Sequence, residues 1–143
     1  CGGGGDGGGD PSGGGSLDAL ARARISVDGV EIEAWLARTP DERARGLMLV
    51  SEDDVAPLED GTPRGMLFVY DEDRVLSFFM RDTFVPLDLA YATADGRIAE
   101  THALEPLDET PVVASRPVRF ALEARRGTFA AFGIGVGDVI EIP

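Results

Sequence analysis

Apolar positions along the chain recur mostly at intervals of two, in short runs separated by turn-forming residues, and this spacing predicts strands. Val30, Ile32, Ala34 and Leu36 alternate on one side of a segment that follows Asp28-Gly29, a favoured two-residue turn. Arg24 to Leu36 therefore predicts a hairpin. Gly65-Met66-Leu67-Phe68-Val69-Tyr70 is apolar on both faces and fits a central strand. Asp71 to Arg74 then reads as a turn and Val75 to Met80 as the partner strand. Pro86 to Thr93 and Arg97 to Leu104 predict another hairpin across Ala94-Asp95-Gly96. Val118 to Ala124 and Asp138 to Ile142 are also strand-like.

The alternation breaks at Thr39-Pro40-Asp41-Glu42. Thr39 suits a helix cap, Pro40 the first helical position, and Glu42 completes a capping box, so a short helix is expected from Pro40 to about Met48. Thr128 to Phe132 fits one further helical turn before Gly133, Gly135 and Gly137. Ser51 to Arg64 is acidic with two prolines and Glu105 to Pro117 carries three, so both read as loops. The sum is an α+β domain, mainly antiparallel β: a compact curled sheet or small barrel with one short capped helix.

Composition divides the chain near Ser16–Leu17. Residues 1–16 hold ten glycines and no apolar side chain large enough to pack, so they cannot offset their own ordering entropy and read as a flexible tether. Such a coil spans about 20–25 Å on average and about 50 Å when stretched. Residues 17–143 have ordinary globular composition and read as one domain, large enough for one core. Cys1, followed by glycines and then a domain, resembles the first residue of a processed bacterial lipoprotein, whose sulfur and amine carry acyl chains. On that reading the protein is lipid-anchored in the cell envelope and meets the membrane only through Cys1. Gly2, where an aspartate often marks retention at the inner membrane, favours the outer one.

The net charge of −13, with thirteen arginines and no lysine, leaves an acidic domain with no basic run, and this disfavours nucleic acid as a partner. Cys1 is the sole cysteine, so there is no internal disulfide.

Several linked motifs, in order, resemble the DUF192 family. They are Thr39-Pro40-Asp41-Glu42-Arg43 into Gly46-Leu47-Met48, Gly65-Met66-Leu67-Phe68, Phe78-Phe79-Met80-Arg81-Asp82-Thr83 with Pro86-Leu87-Asp88, Asp95-Gly96-Arg97-Ile98, Leu122-Glu123, and Gly137-Asp138-Val139. The chain departs from the pattern at Phe79, where tryptophan is usual, and at Asp82, where asparagine is usual. The resemblance implies a compact β-rich fold, often exported, and supplies no substrate.

Candidate chemistry is sparse. One histidine, His102, is too few for a zinc site, and Asp71-Glu72-Asp73 does not meet the calcium-loop pattern, so no dedicated metal is expected. No Gly-x-Ser-x-Gly elbow appears, and Gly133-x-Gly135-x-Gly137 is not a dinucleotide fingerprint. No redox or flavin cofactor is implied.

The informative set is Arg43, Met80, Arg81, Thr83, Asp88 and Glu123. Strand alternation places Asp88 and Glu123 among apolar neighbours, where a carboxylate is costly unless paired. Arg43 or Arg81 is therefore expected to pair with Asp88 or Glu123, as a buried ion pair or at the mouth of a ligand pocket. The leading expectation is a non-catalytic envelope binding or accessory domain acting on a glycan, peptide or protein. A hydrolase working through Asp88 and Glu123 is the alternative, and a purely structural lipoprotein is a third.

Overall fold

The computed structural model describes Leu17–Pro143. The expected tether, and Cys1, the expected site of lipid attachment, lie outside the described residues. The expected first hairpin is present: β1 (Ala21–Val27) and β2 (Val30–Ala37) pair from Ala21↔Leu36 to Val27↔Val30. Asp28 and Gly29 both take positive φ, 47° and 86°, as this tight turn requires.

Helix α1 (Pro40–Arg45) follows. Its capping box closes as expected: Glu42 N donates to Thr39 Oγ1 (3.1 Å), and Thr39 N donates to Glu42 Oε1 (3.2 Å). The helix ends at Gly46, short of Met48, because that residue adopts φ 52°, ψ −129°, a conformation suited to glycine. Thr39→Ala is expected to cost about 1 kcal/mol in chemical denaturation, the usual loss for an N-cap.

Strand β3 (Arg64–Arg74) differs from expectation. It runs through the predicted turn at Asp71–Arg74 and forms no hairpin with Val75–Met80. Its neighbours are β2, in parallel, and β8 (Val118–Arg125), antiparallel. A strand apolar on both faces needs a partner on each side and packing above and below, which a single hairpin could not supply. Gly65 permits the close approach to β8, since a Cβ there would sit 2.7 Å from the Glu123 carbonyl oxygen. Ser77–Phe78 becomes β4 and pairs with β7 (Val112–Val113), a strand inside the expected Glu105–Pro117 loop.

The hairpin of β5 (Leu87–Ala92) and β6 (Ile98–Leu104) forms as expected, and β9 (Ile140–Glu141) joins β1. The curled seven-stranded sheet has the order β6-β5-β8-β3-β2-β1-β9. It is antiparallel except for β2–β3. A second helix, α2 (Thr128–Phe132), and 3-10 turns at Leu17–Ala19 and Asp53–Val55 add to the capped helix.

Each face of the sheet carries a core. Trp35, Leu47, Met66, Phe68, Phe78, Met80, Leu89 and Tyr91 pack on one side; Ile25, Ile32, Leu67, Leu122, Phe129, Ile134 and Ile140 pack on the other. Phe78 meets Phe68 and Tyr91 edge-on, at 4.7 and 5.7 Å between centroids, contacts worth about 0.5–1.5 kcal/mol each. The Tyr91 hydroxyl donates to the Val112 carbonyl oxygen at 2.6 Å. These contacts seat the small β4–β7 sheet on the large one and fix the loops that leave it.

Candidate functional site

The six residues singled out by sequence do not form one cluster. Asp88 stands in register with Ala124, and its chain neighbour Leu89 with Glu123. Consecutive strand residues point to opposite faces, so the two acids lie on opposite sides of the sheet.

Arg43 is buried on α1. Its Nη1 donates to the carbonyls of Arg38 (2.6 Å) and Val69 (3.2 Å), and its guanidinium lies 4.5 Å above the Tyr70 ring. It ties the helix to β3. Arg81 is exposed, pairs with Glu109 at 3.2 Å and covers the Phe79 ring. Neither arginine pairs with Asp88, and among the described contacts neither reaches Glu123. Met80 is buried in the first core, and Thr83 is buried with its hydroxyl donating to the Arg81 carbonyl at 3.0 Å.

Asp88 is satisfied by backbone instead. Its Oδ2 accepts from Gly127 N and Phe129 N, both at 3.1 Å, which caps α2 from a neighbouring strand. The nearest guanidinium belongs to Arg126, whose Nε is 3.8 Å from Oδ1, too far for a hydrogen bond. Arg126 itself donates to the carbonyls of Leu87 and Leu104. Beside these residues an open cleft of about 410 Å³ runs between α2 and β6, lined by Asp88, Thr101, Ala103, Arg126, Phe129 and Ile134. Glu123 is fully buried on the other face, and burial pushes its carboxyl up to about 8.

His102 and Ser115 do come together, but through a carboxylate. Ser115 Oγ donates to Glu100 Oε2 at 2.5 Å, and the imidazole Nε2 contacts Oε1 at 2.8 Å. With the imidazole on the carboxylate's far oxygen, the serine hydroxyl is bonded to Glu100 and not to the histidine, which is not the serine–histidine–acid order of a catalytic triad. These contacts hold the Glu100 carboxyl below its ordinary range against the opposing effect of desolvation. No group of three metal-ligating side chains occurs among the described residues, and no helix there is long and apolar enough to cross a membrane.

A surface that the sequence does not announce lies where three loops meet. Leu49 N donates to the Asp82 carbonyl (2.9 Å), Leu107 N to the Thr83 carbonyl (3.0 Å), and Met80 N to the Asp108 carbonyl (2.9 Å). These bonds stitch the loops after α1, after β4 and after β6 into one face. Leu49, Asp82 and Leu107 all take positive φ, at 67°, 52° and 63°. From this face project Leu49, Phe84 and Leu107, exposed at 42%, 53% and 56%.

Position 82 did carry a signal, since aspartate and asparagine tolerate the left-handed region better than other non-glycine residues. The leucines carried less: Leu107 is a lone apolar residue in a polar loop, and Leu49 sits in the apolar run Leu47–Val50, where nothing marks it as exposed. Met80, Arg81 and Thr83 belong to the loop at the centre of this face; Asp88 and Glu123 do not.

Two solved structures share the fold. A protein from Sinorhizobium meliloti 1021, described as a proposed transcription regulator, is 29% identical with a TM-score of 0.78, over 86% of this chain and 95% of that one. A protein of unknown function from Novosphingobium aromaticivorans DSM 12444 is 31% identical with a TM-score of 0.72, over 94% of this chain and 99% of its own. No curated protein matches the chain. The model of DUF192, an uncharacterized ACR family, matches residues 23–142, and the motifs quoted above lie within the sheet, its caps and the three-loop face: the chain belongs to the DUF192 family.

Proposed function

We propose that this protein is a non-catalytic binding domain of the cell envelope whose three-loop apolar face receives a peptide or protein partner. The observation that carries the reading is the pair Leu49 and Leu107, which are bulky, exposed and held at positive φ. A left-handed leucine costs roughly 1–2 kcal/mol of backbone strain. About half of each leucine remains exposed in the domain, so further burial supplied by a partner is the natural compensation for that strain. On the sequence reading of residues 1–16, acylated Cys1 and the tether hold this face clear of the lipid head groups.

The hydrolase reading loses its support in the placement of Asp88 and Glu123, because carboxylates on opposite faces of one sheet cannot flank one scissile bond.

A thermal-shift panel of short peptides, peptidoglycan fragments and envelope sugars tests the proposal. A ligand at a hundred times its dissociation constant adds about 2.7 kcal/mol, which for a domain of this size raises the melting temperature by roughly 5–15 °C. The expected result is a shift with peptides that disappears in the combined variant Leu49→Ser, Phe84→Ser, Leu107→Ser, while that variant alone melts close to the wild type. A shift from sugars alone, or one that survives the triple substitution, would overturn the proposal.

A further inference from the structure

The apolar face is bordered by acids. Asp82 lies at its centre with an exposed side chain; Glu105, Asp108 and Glu109 bracket Leu107; Glu52 and Asp53 follow closely after Leu49. Arg81 is the only cation in residues 46–54, 79–86 and 105–110, and Glu109 pairs with it at 3.2 Å. The Asp108 carboxylate accepts from Thr110 N, Glu105 reaches Arg126 at 3.5 Å, and the Asp54 carboxylate accepts from Ser51 N. Glu52, Asp53 and Asp82 have no cation within ion-pair distance among the described residues. The cleft beside α2 has no comparable sign, because Asp88 and Arg126 offset one another there.

We infer that the segment received by the three-loop face is a cationic amphipathic peptide, with two or three apolar side chains set among lysines or arginines. This rests on reading that face as the binding site, and adds the partner's chemical class. The apolar anchors would cover Leu49, Phe84 and Leu107, the part of the surface that gains most from leaving water. The flanking cations would meet Glu52, Asp53 and Asp82. An acidic segment would be repelled both by this border and by the surplus of 26 acids over 13 bases in the whole chain. Uncharged anchors would leave the border without an opposing charge. Because those acids are exposed, the electrostatic part of the affinity is open to salt screening.

The test is selection of random linear peptides, displayed on phage, against the immobilised full chain, with subtraction against the combined variant Leu49→Ser, Phe84→Ser, Leu107→Ser. The recovered peptides are expected to carry net positive charge and apolar residues. They should bind the wild type at least about tenfold more tightly than the subtracted variant, as loss of hot-spot anchors predicts. Raising the salt from low to physiological ionic strength and beyond should weaken them about fivefold or more. The charge variant Glu52→Gln, Asp53→Asn, Asp82→Asn should weaken the same peptides by a similar factor. Recovery of neutral or acidic peptides that still need the three apolar side chains overturns the inference and leaves the binding face standing. Recovery of no peptide that distinguishes the wild type from the apolar variant overturns both.

Discussion

Replacing Asp88 with alanine is expected to lower the unfolding free energy by roughly 3–5 kcal/mol. The residue is more than nine-tenths buried, and one of its oxygens accepts both Gly127 N and Phe129 N. A hydrogen bond to a charged acceptor contributes about 1.5–3 kcal/mol, and truncation leaves both amides without the acceptor that reached across from β5. Gly127 cannot replace it, since glycine has no side chain to cap α2. Removing the acid also takes from Arg126 one of its two nearby carboxylates, leaving Glu105. At about 3–5 °C per kcal/mol for a domain of this size, the melting temperature falls by roughly 10–20 °C. Asp88→Asn keeps one acceptor oxygen and should lose about half as much. A melting temperature that holds in Asp88→Ala would return Asp88 to the status of a ligand group at the cleft.

The second large effect is a dependence of stability on pH that originates at Glu123. Burial raises its carboxyl to about 8, from an ordinary value near 4.5. Between those two values the folded protein holds a proton on Glu123 that the unfolded chain has released. Stability from this group is therefore fully present below about pH 4.5 and is lost as pH rises through about 8. At about 1.4 kcal/mol per pH unit between those two values, the loss across the window is on the order of 3–5 kcal/mol. Glu123→Gln removes the titrating group and keeps the side-chain shape. The difference in unfolding free energy between variant and wild type should move in favour of the variant from pH 5 to pH 8, and level off above that. A difference that is flat across the range would show that the carboxyl titrates normally.

Features that depend on neighbours in sequence are legible without the structure. The Asp28-Gly29 turn needs two residues at positive φ, and the Thr39–Glu42 box needs one side chain at each end of the first helical turn. Both can be read because the residues that satisfy them lie within four positions of one another. The partners of β3 cannot, because the parallel pairing with β2 joins segments on either side of α1 and a long acidic loop, and no periodicity encodes which distant strand is adjacent.

Strand alternation correctly marks Asp88 as an acid among apolar residues, yet the arginines expected beside it, Arg43 and Arg81, are not its neighbours, and its hydrogen bonds come from backbone amides. Backbone amides at a helix start satisfy a carboxylate as well as an arginine does, and Gly127, which has no side chain to cap with, is the one hint in the chain. Arg43 reads in the sequence as a charge seeking an acid, whereas its described partners are two carbonyls and the Tyr70 ring. Leu49 and Leu107 leave the weakest trace, because leucine has no preference for the conformation they adopt.

The central claim is that ligands bind where the three loops meet. The most direct measurement is amide chemical-shift mapping by NMR on the full chain, titrated with a peptide that raises its melting temperature. The account predicts that shifts concentrate at Leu47–Val50, Asp82–Phe84 and Glu105–Glu109. Shifts concentrated instead at Thr101–Ala103 and Arg126–Ile134 would place the site in the cleft beside α2 and contradict it.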